Sequence, residues 1–184
     1  MRERDTKTGR YCVEGTEVLR YRISFPNWEE KGMPADFYRR IATDTLTFCQ
    51  GALRAYAEGE YERSEATDKR FRFPSFLYTL VGEVTYREEG LLSIRLEAIL
   101  RRRGEAAPCE RRWDAHTWQL GKEGTVLLPP EQAAQALGGI SLTARQRRQA
   151  AGVIREAEAI VLYTDRERLV LSDGTKIPEP RGKK

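Results

Sequence analysis

Between Leu91 and Leu100 the chain alternates. Leu92, Ile94, Leu96, Ala98 and Leu100 fall on one side, Ser93, Arg95, Glu97 and Arg101 on the other, with Ile99 the exception. Period two of this kind marks a strand with one buried face. The run before it, Phe71 to Tyr86, is rich in aromatic and β-branched residues, and an acidic turn ending in Gly90 joins the two. The pattern predicts a long antiparallel hairpin at the centre of one sheet.

The same alternation recurs upstream, where Leu19, Tyr21, Ile23 and Phe25 interleave with Arg20, Arg22 and Ser24 until Pro26-Asn27 stops the strand. Residues 1–15 read as a polar lead-in with a short strand around Tyr11-Cys12-Val13. The period then changes. From Pro34, which suits a first helical turn, Tyr38, Ala42, Leu46, Cys49, Leu53 and Tyr56 recur in steps of three and four. Phe37, Ile41, Thr45, Phe48, Ala52 and Ala55 form a neighbouring stripe, giving the wide apolar face of a helix that lies across a sheet. Gly59 is the expected C-cap, and the charged stretch from Glu60 to Arg70 an exposed connection with room for helical turns at its start.

Past the hairpin, Arg112 to Leu120 resumes a strand and Thr125 to Leu128 a short one. Pro129-Pro130 opens a brief helix, and Thr143 can cap another. Ile160 to Thr164 and Arg168 to Leu171 form a closing hairpin, followed by a flexible tail over residues 177–184. The expected fold is α+β: an antiparallel sheet with one long helix packed across a face and a smaller C-terminal helical pair, in a single domain spanning residues 1–184.

With 40% hydrophobic and 33% charged residues, the composition suits a globular protein with a heavily charged surface. No run approaches the ~20 apolar residues of a membrane span. The N-terminus has charge but no apolar core of a secretory signal, so a native start at Met1 implies a cytoplasmic protein. A start left after loss of a leader or anchor implies an extracytoplasmic one. Of the 32 basic residues seven are Lys and the other 25 Arg, against 28 acidic residues. Guanidinium forks bind phosphate, so Arg101-Arg102-Arg103, Arg111-Arg112 and Arg145, Arg147 and Arg148 raise a nucleic-acid reading. Interspersed acids favour an ordinary solvated surface instead.

Catalytic patterns are missing. Gly121-Lys-Glu-Gly-Thr125 has the residue types of a phosphate loop but not its spacing, and neither a dinucleotide fingerprint nor a nucleophile elbow occurs. Cys12, Cys49 and Cys109 form no C-x-x-C pair, and with one histidine they build no ordinary zinc site, so reduced structural thiols, no metal and no cofactor are expected. His116 shares a strand face with Asp114 and Trp118, which leaves a hydrolase using His116 as a third reading.

Four segments resemble a known family: Tyr21-Arg-Ile-Ser-Phe-Pro26, Leu92-Ser-Ile-Arg-Leu-Glu-Ala98, Trp113 to Leu128, and Ala159 to Leu171. Their order is similar to that of the extracytoplasmic domain at the outer end of lysozyme-sensing anti-sigma factors, also attached to some peptidoglycan deacetylases. The likeness spans roughly residues 17–178. That family's Gly-Gly-Ala-His stretch is replaced here by Arg102-Arg103-Gly104-Glu105-Ala106. The resemblance implies an α+β fold and a sensing or binding role rather than catalysis. The leading expectation is therefore a non-enzymatic domain that binds an unknown protein or small-molecule ligand.

Where such a partner would bind follows from the alternation. Arg95, Glu97, Ile99 and Arg101 on one strand and Asp114, His116 and Trp118 on the next would share a solvent-facing side, with Ile99 and Trp118 as exposed apolar anchors. The alternative is that the helix beginning near Thr143 covers this side and buries Trp118.

Overall fold

The computed structural model describes residues 4–27, 34–67, 72–88, 90–122, 124–129, 132–133, 163–165, 168–170 and 176–177. Six strands form one sheet in the order β1 (Arg4–Val13), β2 (Thr16–Pro26), β3 (Phe76–Glu88), β4 (Leu91–Arg102), β5 (Glu110–Gly121) and β6 (Gly124–Leu127). Two helices, α1 (Ala35–Gln50) and α2 (Ala52–Thr67), lie between β2 and β3 in the chain. Three short strands, β7 (Tyr163–Asp165), β8 (Arg168–Val170) and β9 (Lys176–Ile177), make a second sheet. The fold is α+β. The expected C-terminal helical pair lies outside the described residues, apart from a helical turn at 132–133.

The chain divides into two compact units. Residues 1–81 with 97–112 form the first, and residues 82–96 with 113–184 the second. β3, β4 and β5 each contribute one part to either unit.

In the first unit β1 and β2 pair antiparallel, closed by Glu14-Gly15 with both residues at positive φ (48° and 82°). Two positive φ values define the turn whose twist matches a hairpin, and Asn or Gly is the residue that takes them without strain. Replacing Glu14 with Asn is expected to raise stability by about 0.5–1 kcal/mol, seen as a higher denaturation midpoint with unchanged slope. A lower midpoint would mean that the Glu14 side chain supports the turn.

The lead-in is thus a full ten-residue strand. Its charged, threonine-rich sequence hid it because an edge strand is protected by charge rather than by apolar alternation. A second correction concerns direction. β2 and β3 run parallel, with Leu19 opposite Phe76, Tyr21 opposite Tyr78 and Ile23 opposite Leu80, so the sheet is mixed rather than antiparallel. A helical crossover returns the chain to the starting end of the sheet and makes a parallel neighbour.

The crossover is bent. Gly51 leaves helical geometry at φ −106° and ψ −95°, yet its N–H donates to Thr47 O at 2.9 Å and its carbonyl accepts from Ala55 at 3.0 Å. The Thr43 and Thr47 hydroxyls donate to the carbonyls of Arg39 and Thr43, a back-bonding that bends helices. Gly59 does not end the helix. α2 continues to Thr67, with ion pairs Arg54–Glu58 and Arg63–Glu60 at helical spacing, the second within the stretch expected to be a connection with helical turns only at its start.

Tyr38, Ala42, Cys49, Leu53 and Ala57 are the buried side of the two helices, over Leu19, Tyr21, Ile23 and Phe25 of β2. Each large side chain buried there contributes about 1.5–3 kcal/mol. Rings knit the layers together: Phe25 with Tyr38 at 6.0 Å, and Tyr56 with Phe76 at 5.4 Å.

In the second unit Leu91, Leu92, Ser93 and Ile94 are all buried, so the first turns of β4 are covered on both faces. Ser93, expected on a solvent side, meets Thr117 Oγ1 at 3.2 Å, and this buried hydroxyl pair satisfies both polar groups. Gly90 (φ 76°) makes the turn between β3 and β4 and accepts a hydrogen bond from Leu120 N at 2.7 Å. β7 and β8 pair antiparallel, in keeping with the closing hairpin. Ile177, expected to begin the tail, lies in β9 opposite Leu169.

Candidate binding cleft in the first unit

An open cleft of about 130 Å³ lies where α1 passes over the sheet. Phe48 comes from the last turn of α1, Tyr78 from β3, Ala98 and Leu100 from β4, and Glu110 and Arg112 from β5. The bend at Gly51 follows Phe48 directly, and the Phe48 ring stays 45% exposed rather than joining the core. It stands edge-on to Tyr78, with centroids 5.9 Å apart and planes at 65°. Ala98 is the smallest lining side chain, and Glu110 and Arg112 form an ion pair at the rim. The result is an apolar floor, one aromatic wall and a charged lip.

The Tyr78 phenol and the nearby Cys49 thiol stay protonated at neutral pH. Burial pushes the Tyr78 phenol up to about 12 and the Cys49 thiol up to about 12. A thiol held in that range is almost wholly protonated and unreactive. Cys49 is the buried structural thiol that its place on the helix predicts, whereas Cys12 and Cys109 are exposed. Among the described residues no three His, Cys, Asp or Glu side chains converge to hold a metal ion.

The seven residues expected to share a solvent-facing side divide between the units. Glu97, Ile99 and Arg101 belong to the first, and Arg95, Asp114, His116 and Trp118 to the second. Ile99 is 9% exposed and Trp118 6%, so neither is an exposed anchor. Within the second unit β6 pairs beside Trp118, and the chain after it stays close, with Leu128 N donating to Thr117 O at 2.9 Å. Two of the polar members are engaged in ion pairs: Arg95 with Glu83 at 2.6 Å, and Glu97 with Arg111 at 3.3 Å.

The structure does bring Asp114 and His116 together, with His116 Nε2 3.6 Å from the carboxylate. Burial lowers the imidazole pKa below its ordinary value, and the Asp114 charge opposes that shift. The folded state therefore prefers neutral His116, and the unfolded chain takes up a proton first. Stability should be level above the ordinary imidazole range of about 6.5 and fall as pH drops below it. Urea titrations of the wild type and of His116→Gln check this, with the slope between pH 6.5 and 5 expected to flatten in the variant. An unchanged slope would assign the acid arm to carboxylates alone.

Among the described residues, the expected arginine runs divide between ion pairs and opposite strand faces. Arg102 lies over the Phe76 ring at 4.9 Å and pairs with Glu60 at 2.8 Å, while Arg103 pairs with Glu17 at 2.8 Å. Arg112 lines the cleft, on the opposite side of β5 from Arg111. Arg145, Arg147 and Arg148 lie outside the described residues. Sequence reasoning missed the cleft itself, since Tyr78, Ala98 and Glu110 become neighbours only through strand order. The one signal present was Phe48 on the outer of the two helical stripes.

No protein-family model matches this chain, and no curated protein matches it. Among solved structures it is similar to a DUF3298 family member from Bacteroides fragilis at 12% identity and a TM-score of 0.34, covering 64% of this chain and 55% of that one. It is also similar to a DUF3298 family protein from Pseudomonas aeruginosa at 16% identity and a TM-score of 0.35, covering 82% of this chain and 72% of that one. This chain thus spans about half the length of the Bacteroides protein, and both scores lie below the level of a shared fold. No described helix is long and apolar enough to cross a membrane.

Proposed function

We propose that this protein is a non-enzymatic binding domain, and that the cleft beside Phe48 receives an apolar side chain of a protein partner. The observation that carries the reading is a large aromatic residue left 45% exposed at the mouth of a formed apolar cleft with an ion pair on its lip. Buried interface anchors are typically aromatic or aliphatic groups in such hollows, ringed by polar contacts. A volume near 130 Å³ suits one ring or one branched aliphatic group and is well short of the several hundred Å³ that hold a cofactor. The sequence resemblance to a sensing domain points the same way, toward a partner-dependent role.

N-acetyl-phenylalaninamide and N-acetyl-leucinamide are suitable probes. Saturable NMR shifts at Phe48, Tyr78 and Ala98 are expected at roughly millimolar concentration, the affinity of a single anchored group. Ala98→Phe fills the cleft and should abolish them while leaving the free energy of unfolding within about 1 kcal/mol of wild type. Shifts that never saturate, or that persist unchanged in Ala98→Phe, would overturn the proposal.

A further inference from the structure

The other side of the first unit's sheet has a different character. Tyr21, Ile23 and Phe25 face the helices, as the Phe25–Tyr38 contact shows, so Arg20 and Arg22 point the opposite way. The register sets Arg10 directly across from Arg20, and Thr8 across from Arg22. On β4, Ala98 and Leu100 line the cleft, which places Arg101 on the far side. On β5 the same logic places Arg111 there, and its ion pair with Glu97 agrees. Five arginines from four strands thus share one sheet face.

Three observations make this more than a solvated surface. First, like charges directly opposite each other on paired strands are destabilising, and Arg10–Arg20 is such a pair. A local rule broken in this way commonly marks function. Second, carboxylates do not balance the face: Glu17 accepts from both Arg20 and Arg103, Glu97 serves Arg111, and Arg22 and Arg101 form no ion pair among the described residues. Third, both helices of the unit pack on the opposite side, through Phe25–Tyr38, Phe48–Tyr78 and Tyr56–Phe76.

We infer that this face binds the phosphate backbone of double-stranded nucleic acid. Arg rather than Lys dominates it, and the planar guanidinium matches phosphate bidentately. Arg20 and Arg22 sit about 6.6 Å apart along β2, from the rise of a strand. The strands present Thr6, Thr8 and Thr79 between the arginines, small hydroxyls that donate to phosphate oxygens. No aromatic residue occupies this side of β1 or β2, so the base-stacking platform of a single-strand binder is lacking. Contacts to phosphate alone make the binding independent of sequence and steeply dependent on salt.

Fluorescence anisotropy with a short labelled duplex tests this. Four phosphate contacts predict a log K against log salt slope of roughly −4, a loss of about a hundredfold between about 50 and 200 mM salt. Substituting Arg10, Arg20 and Arg22 together by Ala should reduce the slope by about 3, while Arg39→Ala with Arg63→Ala on the helices changes nothing. Arg22→Glu alone, checked by thermal melting, stands in if the triple variant does not fold and should weaken binding at least tenfold. Equal binding by wild type and Arg22→Glu overturns the proposal. So does tighter binding of single strands than of duplex, or binding to phosphatidylserine vesicles with none to the duplex. The cleft-filling Ala98→Phe should leave duplex binding intact, which keeps this result separate from the cleft reading.

Discussion

Replacing Phe76 with Ala should lower stability by about 3–5 kcal/mol, the largest single effect expected in the chain. Phe76 is 1% exposed and opens β3, where it stands opposite Leu19 of β2. Its ring meets Tyr56 at 5.4 Å and Phe73 at 6.1 Å, Phe73 in turn meets Tyr61 at 5.5 Å, and the Arg102 guanidinium covers the same ring at 4.9 Å. Truncation therefore removes more than transfer free energy. It leaves a cavity walled by aromatic rings that cannot close over it, and it strips the stacking partner from Arg102, whose other partner is Glu60. Equilibrium urea unfolding measures the loss. Phe76→Leu, which keeps most of the volume, should cost clearly less. A loss for the Ala variant under about 1 kcal/mol would remove Phe76 from the core.

The second large effect is at Gly9, where alanine should cost about 1–3 kcal/mol despite being a better strand residue than glycine. Gly9 pairs with Tyr21, and the Tyr21 ring folds across it: an added Cβ would sit 2.3 Å from Cζ and Oη and 2.5 Å from Cε1. The entropy gained by restricting an unfolded glycine is about 0.4–1 kcal/mol, so the sign depends on whether the ring can move. It is 5% exposed and neighbours Tyr11 at 6.3 Å, which leaves it little room. In a double-mutant cycle Tyr21→Leu should relieve most of the clash, giving a coupling of about 1 kcal/mol or more. Additive losses would show that the ring gives way freely.

Elements with a strong apolar period were legible in the sequence. β2 and β4 alternate clearly, α1 carries two adjacent stripes, and Gly90 marks the turn it makes. β1 was largely hidden, because its pairing comes from backbone hydrogen bonds beneath a charged sequence. The parallel pairing of β2 with β3 was not legible either: nothing local distinguishes a strand reached by a crossover from one reached by a hairpin. The burial of Ile99, and the choice between an exposed and a covered Trp118, was not legible for a related reason. Period two assigns a face, but which face is covered depends on what packs there. The cleft and the arginine face are products of strand order and register, so residues as distant as Arg10 and Arg101 share a side with no sequence signal between them.

The parallel pairing of β2 with β3 also bears on the order in which the chain assembles. Leu19 and Phe76 are 57 positions apart, so bringing them together costs about 3.6 kcal/mol of loop-closure entropy before any contact repays it. The β1–β2 hairpin closes over only two residues, Glu14 and Gly15, a step of about 1–10 µs. The hairpin is thus available long before its second partner arrives, and closure of the crossover limits the folding rate. The stabilisation expected from Glu14→Asn should then appear as faster folding. A gain confined to the unfolding rate would place the hairpin after the crossover instead.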